Sequence, residues 1–129
     1  MDTAVSGMDT ASKERARKLL NNLKSESGNN TCADCYSPAP TWAAVNLGIF
    51  ICEQCATVHR KIGSQVKSLI LDTWAMDQVE NMRNIGNLRA NERWNSDGRL
   101  APPPADMEES ERDSALETYI REKYEGAGE

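Results

Sequence analysis

The sequence predicts a single small α+β domain in which α-helices surround a short central β-sheet. Apolar residues recur at helical spacing in several segments, whereas two short apolar runs, 47–51 and 66–72, have the length of buried strands. Four cysteines flank the first of these runs in two Cys-x2-Cys pairs. A chain of 129 residues, 39% of them hydrophobic, can fill one modest core.

Charge is distributed unevenly along the chain. The formal net charge is −5, and the acidic excess lies beyond residue 100, while the preceding part is nearly balanced. A duplex-binding module usually carries a strongly basic face, and only the segment KERARKLLNNLK is locally basic. We therefore expect no nucleic-acid partner. No apolar run approaches the ~18 residues of a membrane span and the N-terminus is polar, which favours a cytoplasmic protein.

The domain is expected to span residues 12–125. Residues 1–11 lack periodicity and aromatic side chains, which predicts a disordered lead-in, and residues 126–129 are expected to form a flexible end. Ser12 is the predicted N-cap of a first helix, whose apolar face contains Ala16, Leu19, Leu20 and Leu23. The basic residues of this helix are Arg15, Arg17 and Lys18. We interpret them as a solvated face, and the alternative is that they bind a partner or an anionic membrane surface.

Further helices are predicted after the second cysteine pair. A short helix ends at Gly63. The next helix has an apolar face of Met76, Val79, Met82 and Ile85 and ends near Gly86, and a second helical piece follows it. The three consecutive prolines of SDGRLAPPPAD exclude regular structure there. A capping-box pattern, Ser114 to Glu117, predicts the start of a last helix that docks on the domain through Leu116, Tyr119, Ile120 and Tyr124.

The cysteines follow the spacing Cys32-x2-Cys35-x16-Cys52-x2-Cys55. Each pair can place two sulfurs on one side of a tight turn, within ~2.3 Å of one metal. Zinc is favoured, and disulfides or another metal are the alternatives. Four sulfurs complete a tetrahedral shell and leave no position for water, so the sequence predicts one structural Zn²⁺ ion. His59 is then interpreted as a structural residue.

The run from Cys32 to Trp74 carries an ordered set of motifs. The cysteine spacing extends to C-x2-C-x16-C-x2-C-x4-R, and the run also contains W-A, N-x-G-x-F-x-C, HR and LD-x-W. This set resembles the zinc module of Arf GTPase-activating proteins. The resemblance continues in DQVENMRNIGN and ALETYIREKYE, so that it covers residues 14–125, and it is closest to the small single-module members, including fungal ones.

The resemblance implies a GTPase-activating protein for an Arf-family small GTPase in its GTP-bound form. Arg60 matches the arginine finger of the family, which is inserted beside the transferring phosphoryl group. Helical geometry independently turns Arg60 roughly 140° away from Cys55, and therefore outward. A solvated surface arginine is the alternative. The family also implies a monomer that acts in vesicle traffic and is recruited peripherally to Golgi or endosomal membranes.

Five neighbouring positions match the family as supporting or GTPase-facing residues. Trp42 is expected to pack on the zinc module beneath the finger, and Asn46 and Asp72 to fix loops by hydrogen bonds. Ile49 and Lys67 are expected near the GTPase-facing side. The alternatives are core packing for Trp42 and Trp74, and an ordinary turn aspartate for Asp72.

The chain departs from the family pattern after Gly63. The family has a segment like G-x-H-I-S-x-V, whereas SQVKS follows Gly63 directly here, so that about three residues, including the usual histidine, are absent. This leaves a second hypothesis, a zinc-scaffolded interaction module of the same fold with weak or lost activity. A nucleic-acid-binding finger, suggested by the cysteine spacing alone, is disfavoured by the acidic charge.

Overall fold

The computed structural model describes residues 9–126 and confirms the predicted α+β class. Three short strands form the sheet: β1 (Trp42–Ala44), β2 (Ile49–Ile51) and β3 (Val66–Ser68). The helices around it are α1 (Thr10–Lys24), α2 (Glu53–Lys61), α3 (Met76–Asn84), α4 (Gly86–Trp94) and α5 (Glu109–Arg121), and a π-helical segment, Glu122–Gly126, continues α5. None of these helices combines the length and the apolar character that a bilayer crossing requires.

The sheet is antiparallel, with strand order β2-β1-β3. Since side chains alternate along a strand, the sheet separates two apolar clusters. Ala43 and Phe50 pack with the buried faces of α1 and α3. Ile49 and Ile51 pack with α2, α4 and α5 on the other side. Helix α2 begins directly after β2 and packs on the side of Ile49 and Ile51, so the sheet fixes its position.

The predicted strand over 66–72 is too long. The chain turns after Ser68, whose hydroxyl accepts hydrogen bonds from the backbone N–H groups of Ile70 (3.1 Å) and Leu71 (2.9 Å). The Asp72 carboxylate accepts from the Ser68 N–H at 2.7 Å and closes the turn. Side-chain acceptors thus replace the strand ladder here. Ile70 and Leu71 remain 61% and 82% exposed.

Helix α1 begins three residues before the predicted start. Asp9, not Ser12, is the N-cap, and its carboxylate accepts from the Ser12 N–H at 2.7 Å. The buried stripe of Ala16, Leu20 and Leu23 agrees with the prediction. The end of the expected lead-in therefore belongs to the helix and its cap, whereas residues 1–8 lie outside the described residues, as do residues 127–129 of the expected flexible end.

The predicted capping box at Ser114 is wrong. Helix α5 begins at Glu109, and the carboxylate of Glu108 caps it by accepting from the Glu111 N–H at 3.2 Å. Ser114 lies inside the helix, where its carbonyl oxygen accepts from the Thr118 hydroxyl. The docking of this helix is nevertheless as predicted, because its apolar stripe is buried: Leu116, Tyr119, Ile120 and Tyr124.

Candidate functional site

The four cysteines form one compact cluster. Their Sγ atoms all lie within 4.8 Å of one another, and those of Cys35 and Cys52 are 3.5 Å apart. Sulfurs at ~2.3 Å from a tetrahedral ion are separated by roughly 3.8 Å, so this spacing fits one four-coordinate metal ion. Cys32 and Cys55 are buried, and the other two cysteines are half-buried.

Local backbone geometry prepares the sulfurs for ionisation. The N–H groups of Asp34 and Cys35 point at Cys32 Sγ at 3.4 and 3.5 Å. The Cys55 N–H points at Cys52 Sγ at 3.4 Å, which makes a ligand sulfur the N-cap of α2. These contacts favour thiolates over thiols.

Without a cation between them, the crowded sulfurs repel one another as thiolates, which opposes ionisation of all four. Cys35 and, after it, Cys52 raise the pKa of Cys32, and the other three sulfurs, Cys32 foremost, raise the pKa of Cys55. A divalent cation at the centre removes this repulsion and allows all four thiolates to form. The four cysteines therefore suit a metal ion in both geometry and charge.

Arg60 lies in the last turn of α2, which begins at the cluster. Its side chain is exposed, and its guanidinium carbon lies 4.7 Å from the centroid of the Trp42 ring. Within residues 9–126, no carboxylate forms an ion pair with Arg60. The indole therefore orients the guanidinium, and the N–H donors of the guanidinium remain available to a partner.

Two of the expected supporting residues close loops beside this arginine. Asn46 Oδ1 accepts from the backbone N–H of Gln65 at 2.8 Å, and the Gln65 carbonyl accepts from the Val45 N–H at 2.8 Å. The shortened segment after Gly63 is thus attached directly to the start of the β1–β2 turn. Asp72 closes the turn after β3, as described above.

Ile49 and Lys67, expected near the GTPase-facing side or in support of it, do not face the solvent. Ile49 is 0% exposed because both faces of β2 are covered. Lys67 is 6% exposed and folds inward, where its ammonium donates to the Thr73 carbonyl at 2.6 Å and to Gln78 Oε1 at 3.0 Å. Both side chains can support the surface, but they cannot form it.

Asp34, which sequence reasoning missed, is the centre of a buried polar cluster. Its carboxylate is 0% exposed and contacts His59 Nε2 at 2.7 Å, Lys123 Nζ at 2.9 Å and the Tyr124 hydroxyl at 2.6 Å. Burial acts to raise the pKa of Asp34, but the His59 hydrogen bond and the Lys123 charge outweigh it and keep the pKa below its ordinary value. The carboxylate is therefore ionised and paired.

His59 is structural, in agreement with the sequence interpretation. It is 0% exposed, and its two ring nitrogens are engaged by Asp34 and by the Ser64 hydroxyl, the latter at 3.0 Å. The Tyr124 ring packs on it with centroids 5.3 Å apart. Helical spacing places Tyr124 in the apolar stripe of the last helix, whereas the sequence signal for Lys123 is the family-like segment ALETYIREKYE.

Fold and site together define a small domain with a four-cysteine cluster that could hold a metal ion and an exposed arginine stacked on a tryptophan. A family model described as "Putative GTPase activating protein for Arf" matches residues 17–128. The chain belongs to this ArfGap family.

Three relatives of known name match most of this chain. The "UBA domain-containing protein 3" of Schizosaccharomyces pombe is 48% identical over 106 residues, covering 80% of this chain and 17% of that protein. The "Probable ADP-ribosylation factor GTPase-activating protein AGD15" of Arabidopsis thaliana is 48% identical over 110 residues, covering 83% and 44%. The human "Stromal membrane-associated protein 1" is 38% identical over 123 residues, covering 88% and 25%. The chain spans less than half the length of each of these relatives.

Solved structures share the fold. The structure described as "ArfGap domain of HIV-1 Rev binding protein" superposes with a TM-score of 0.77 over 92% of this chain and 89% of that chain, at 22% sequence identity. At this identity the likeness concerns the fold alone.

Proposed function

We propose that this domain accelerates GTP hydrolysis by an Arf-family GTPase in its GTP-bound form and that Arg60 acts in trans as the catalytic arginine. The four cysteines hold one structural Zn²⁺ ion, which supplies folding energy and carries no step of the reaction. The observation that carries this proposal is the exposed Arg60 guanidinium, oriented by Trp42 and without a carboxylate partner among the described residues.

GTP hydrolysis is a phosphoryl transfer that a free guanidinium accelerates. In phosphoryl transfer, negative charge develops on the bridging and γ-phosphate oxygens, and a guanidinium placed against them is worth ~10³–10⁵ in rate. Its planar arrangement of N–H donors can contact two oxygens at once, which an ammonium cannot do. An arginine already paired with a carboxylate would have to break that pair first, and Arg60 has none to break within the described chain.

The surface beside Arg60 has the character of a protein-binding face. Trp42 pairs with Ser68 across the sheet, so the turn that follows Ser68 lies at the same end of the sheet as the arginine. Ile70 and Leu71 are exposed on that turn. Exposed aliphatic side chains beside an aromatic–arginine pair are typical of interface centres.

The shortened loop does not favour the alternative of an inactive interaction module. Its backbone is attached on both sides, by Gln65 to Asn46 and by the Ser64 N–H to the His59 carbonyl at 2.9 Å. The last turn of α2 therefore has its support without the absent residues. We further propose that the domain acts as a monomer in the cytoplasm and is recruited to Golgi or endosomal membranes with its GTPase.

Single-turnover GTP hydrolysis by a panel of Arf proteins, each with and without this chain, tests the proposal. We expect at least one Arf to hydrolyse GTP ~10³-fold faster in its presence. Arg60→Ala should remove the acceleration. No acceleration of any Arf by a folded, zinc-loaded chain would leave the inactive interaction module as the function.

A further inference from the structure

The residue that precedes the candidate catalytic arginine is held on both sides of its ring. His59 is fully buried, and both ring nitrogens have partners outside the helix. The Asp34 carboxylate can only accept, so Nε2 donates to it, and Nδ1 is left to share a hydrogen bond with the Ser64 hydroxyl. One ring orientation satisfies both contacts.

Ser64 attaches the end of α2 from the loop side. Its hydroxyl contacts the His59 ring at 3.0 Å, and its backbone N–H donates to the His59 carbonyl at 2.9 Å. The Gly63 N–H donates to the Arg60 carbonyl at 3.3 Å in the same turn. The loop thus closes directly on the backbone that carries Arg60.

Lys123 and Tyr124 fix Asp34, which bonds His59 on the side opposite Ser64. Lys123 Nζ and the Tyr124 hydroxyl both contact Asp34 Oδ1, at 2.9 and 2.6 Å, and leave Oδ2 for His59. Lys123 also donates to the Ala33 carbonyl at 3.1 Å. Asp34 therefore has a fixed orientation that comes from the C-terminal end of the domain.

We propose that Ser64, Lys123 and Tyr124 are positioning residues for Arg60, acting through His59 and Asp34. This inference rests on the proposed function, because the consequence of misplacing Arg60 is a slower reaction. A displacement of ~1 Å at a catalytic group can cost ~10²-fold in rate. None of the three positioning residues contacts the guanidinium, so their loss lowers kcat and leaves GTPase binding unchanged.

Two pairs of variants of the full chain test the inference. Ser64→Ala removes the hydroxyl from His59, and Ser64→Thr retains one. Tyr124→Phe removes the hydroxyl from the Asp34 carboxylate, whereas Tyr119→Phe removes a hydroxyl that donates to the Asp34 backbone carbonyl at 2.8 Å. Both tyrosines are buried, at 8% and 6% exposure, which makes Tyr119→Phe a matched control.

The measurements are kcat and KM for a GTP-loaded Arf and, independently of activity, the NMR resonance of the Arg60 Nε–H group, which the Trp42 ring current displaces. We expect Ser64→Ala and Tyr124→Phe to lower kcat by ~10- to 100-fold at nearly unchanged KM and to move the Arg60 resonance. Ser64→Thr and Tyr119→Phe should retain both the rate and the resonance.

Failure of the inference and failure of the function give different results. If wild type activates an Arf through Arg60 but Ser64→Ala and Tyr124→Phe are as active and leave the resonance in place, the positioning role is overturned and the function stands. If wild type activates no Arf, the function falls, and with it the catalytic consequence proposed here. Equal losses of kcat in Tyr124→Phe and Tyr119→Phe would reduce the effect to general destabilisation and also overturn it.

Discussion

The Arg60 guanidinium lies over the Trp42 indole, with its central carbon 4.7 Å from the ring centroid. The two side chains come from different elements, the last turn of α2 and the first residue of β1. Trp42 is itself held by pairing with Ile51 on one side and Ser68 on the other. The arginine therefore meets its partner already oriented, which reduces the entropy lost on binding.

Arg60→Lys should lower the rate of Arf GTP hydrolysis by at least ~10²-fold, because the ammonium lacks the planar set of donors. Affinity for the GTP-loaded Arf and the zinc content should change little, since the side chain is exposed. Single-turnover kinetics at saturating domain concentration provide the measurement.

Arg93→Lys is the matched control, because the Arg93 guanidinium also lies over an indole, at 4.8 Å from the Trp94 centroid. Its loss should leave the rate within a factor of about two, as expected of a surface substitution. If both substitutions changed the hydrolysis rate equally, Arg60 would have no catalytic role beyond that of an ordinary surface arginine.

Trp42→Leu tests the orienting role of the indole. Leucine retains apolar contact with the cluster around Ile49 and Ile51 but offers no aromatic face to the guanidinium. We therefore expect kcat/KM to fall by roughly tenfold, in line with a cation–π contact of about 1 kcal/mol plus lost orientation. The variant should still bind zinc. Unchanged kcat/KM would show that Arg60 finds its position without Trp42.

Removal of the metal should unfold the domain. The cysteine cluster joins the Cys32 turn to the start of α2, and Cys32 and Cys55 belong to the apolar cluster around Ile49 and Ile51, so loss of the metal would leave crowded thiols inside the core. Elemental analysis should give one zinc per chain, and a strong chelator should abolish the helical circular dichroism cooperatively. Cys52→Ser should reproduce this state. A well-folded chain without metal would contradict the structural role.

Lys123→Met should destabilise the domain by roughly 3 kcal/mol or more, because it removes one partner of a buried ion pair and leaves Asp34 with less compensation. Urea denaturation provides the free energy of unfolding. Arg99→Met is the control, since Arg99 is exposed and pairs with Glu122 at the surface, where an ion pair contributes ~0–1 kcal/mol. Similar losses in both variants would argue against a special role of the buried pair.

Local sequence signals predicted the local features of the structure. Helical spacing gave the buried faces of α1 and α5, and the cysteine pairs gave the cluster. The strand over 66–72 was overextended because Leu69, Ile70 and Leu71 continue an apolar run, and nothing in that run shows that the Ser68 hydroxyl captures the backbone.

The partners of Asp34 could not be predicted in this way. Periodicity shows which face of a helix is apolar, but it does not show where a buried lysine finds its counter-charge. Asp34 and Lys123 are 89 positions apart in the chain, and only the packing of α5 against the cysteine cluster brings them together. The same reason applies to Lys67, which the family resemblance placed near the GTPase-facing side: no local pattern shows that its ammonium turns inward to Gln78 and Thr73.

The distance along the chain between Asp34 and Tyr124 has a consequence for how the protein is made. At ~5–20 residues per second, a ribosome adds Tyr124 roughly 3–14 s after the last cysteine. During this interval the cysteines can already gather, but the Asp34 carboxylate lacks the lysine and the phenol that later enclose it. The Asp34 carboxylate therefore stays hydrated, without its buried ion pair, until the last helix has been made and has docked.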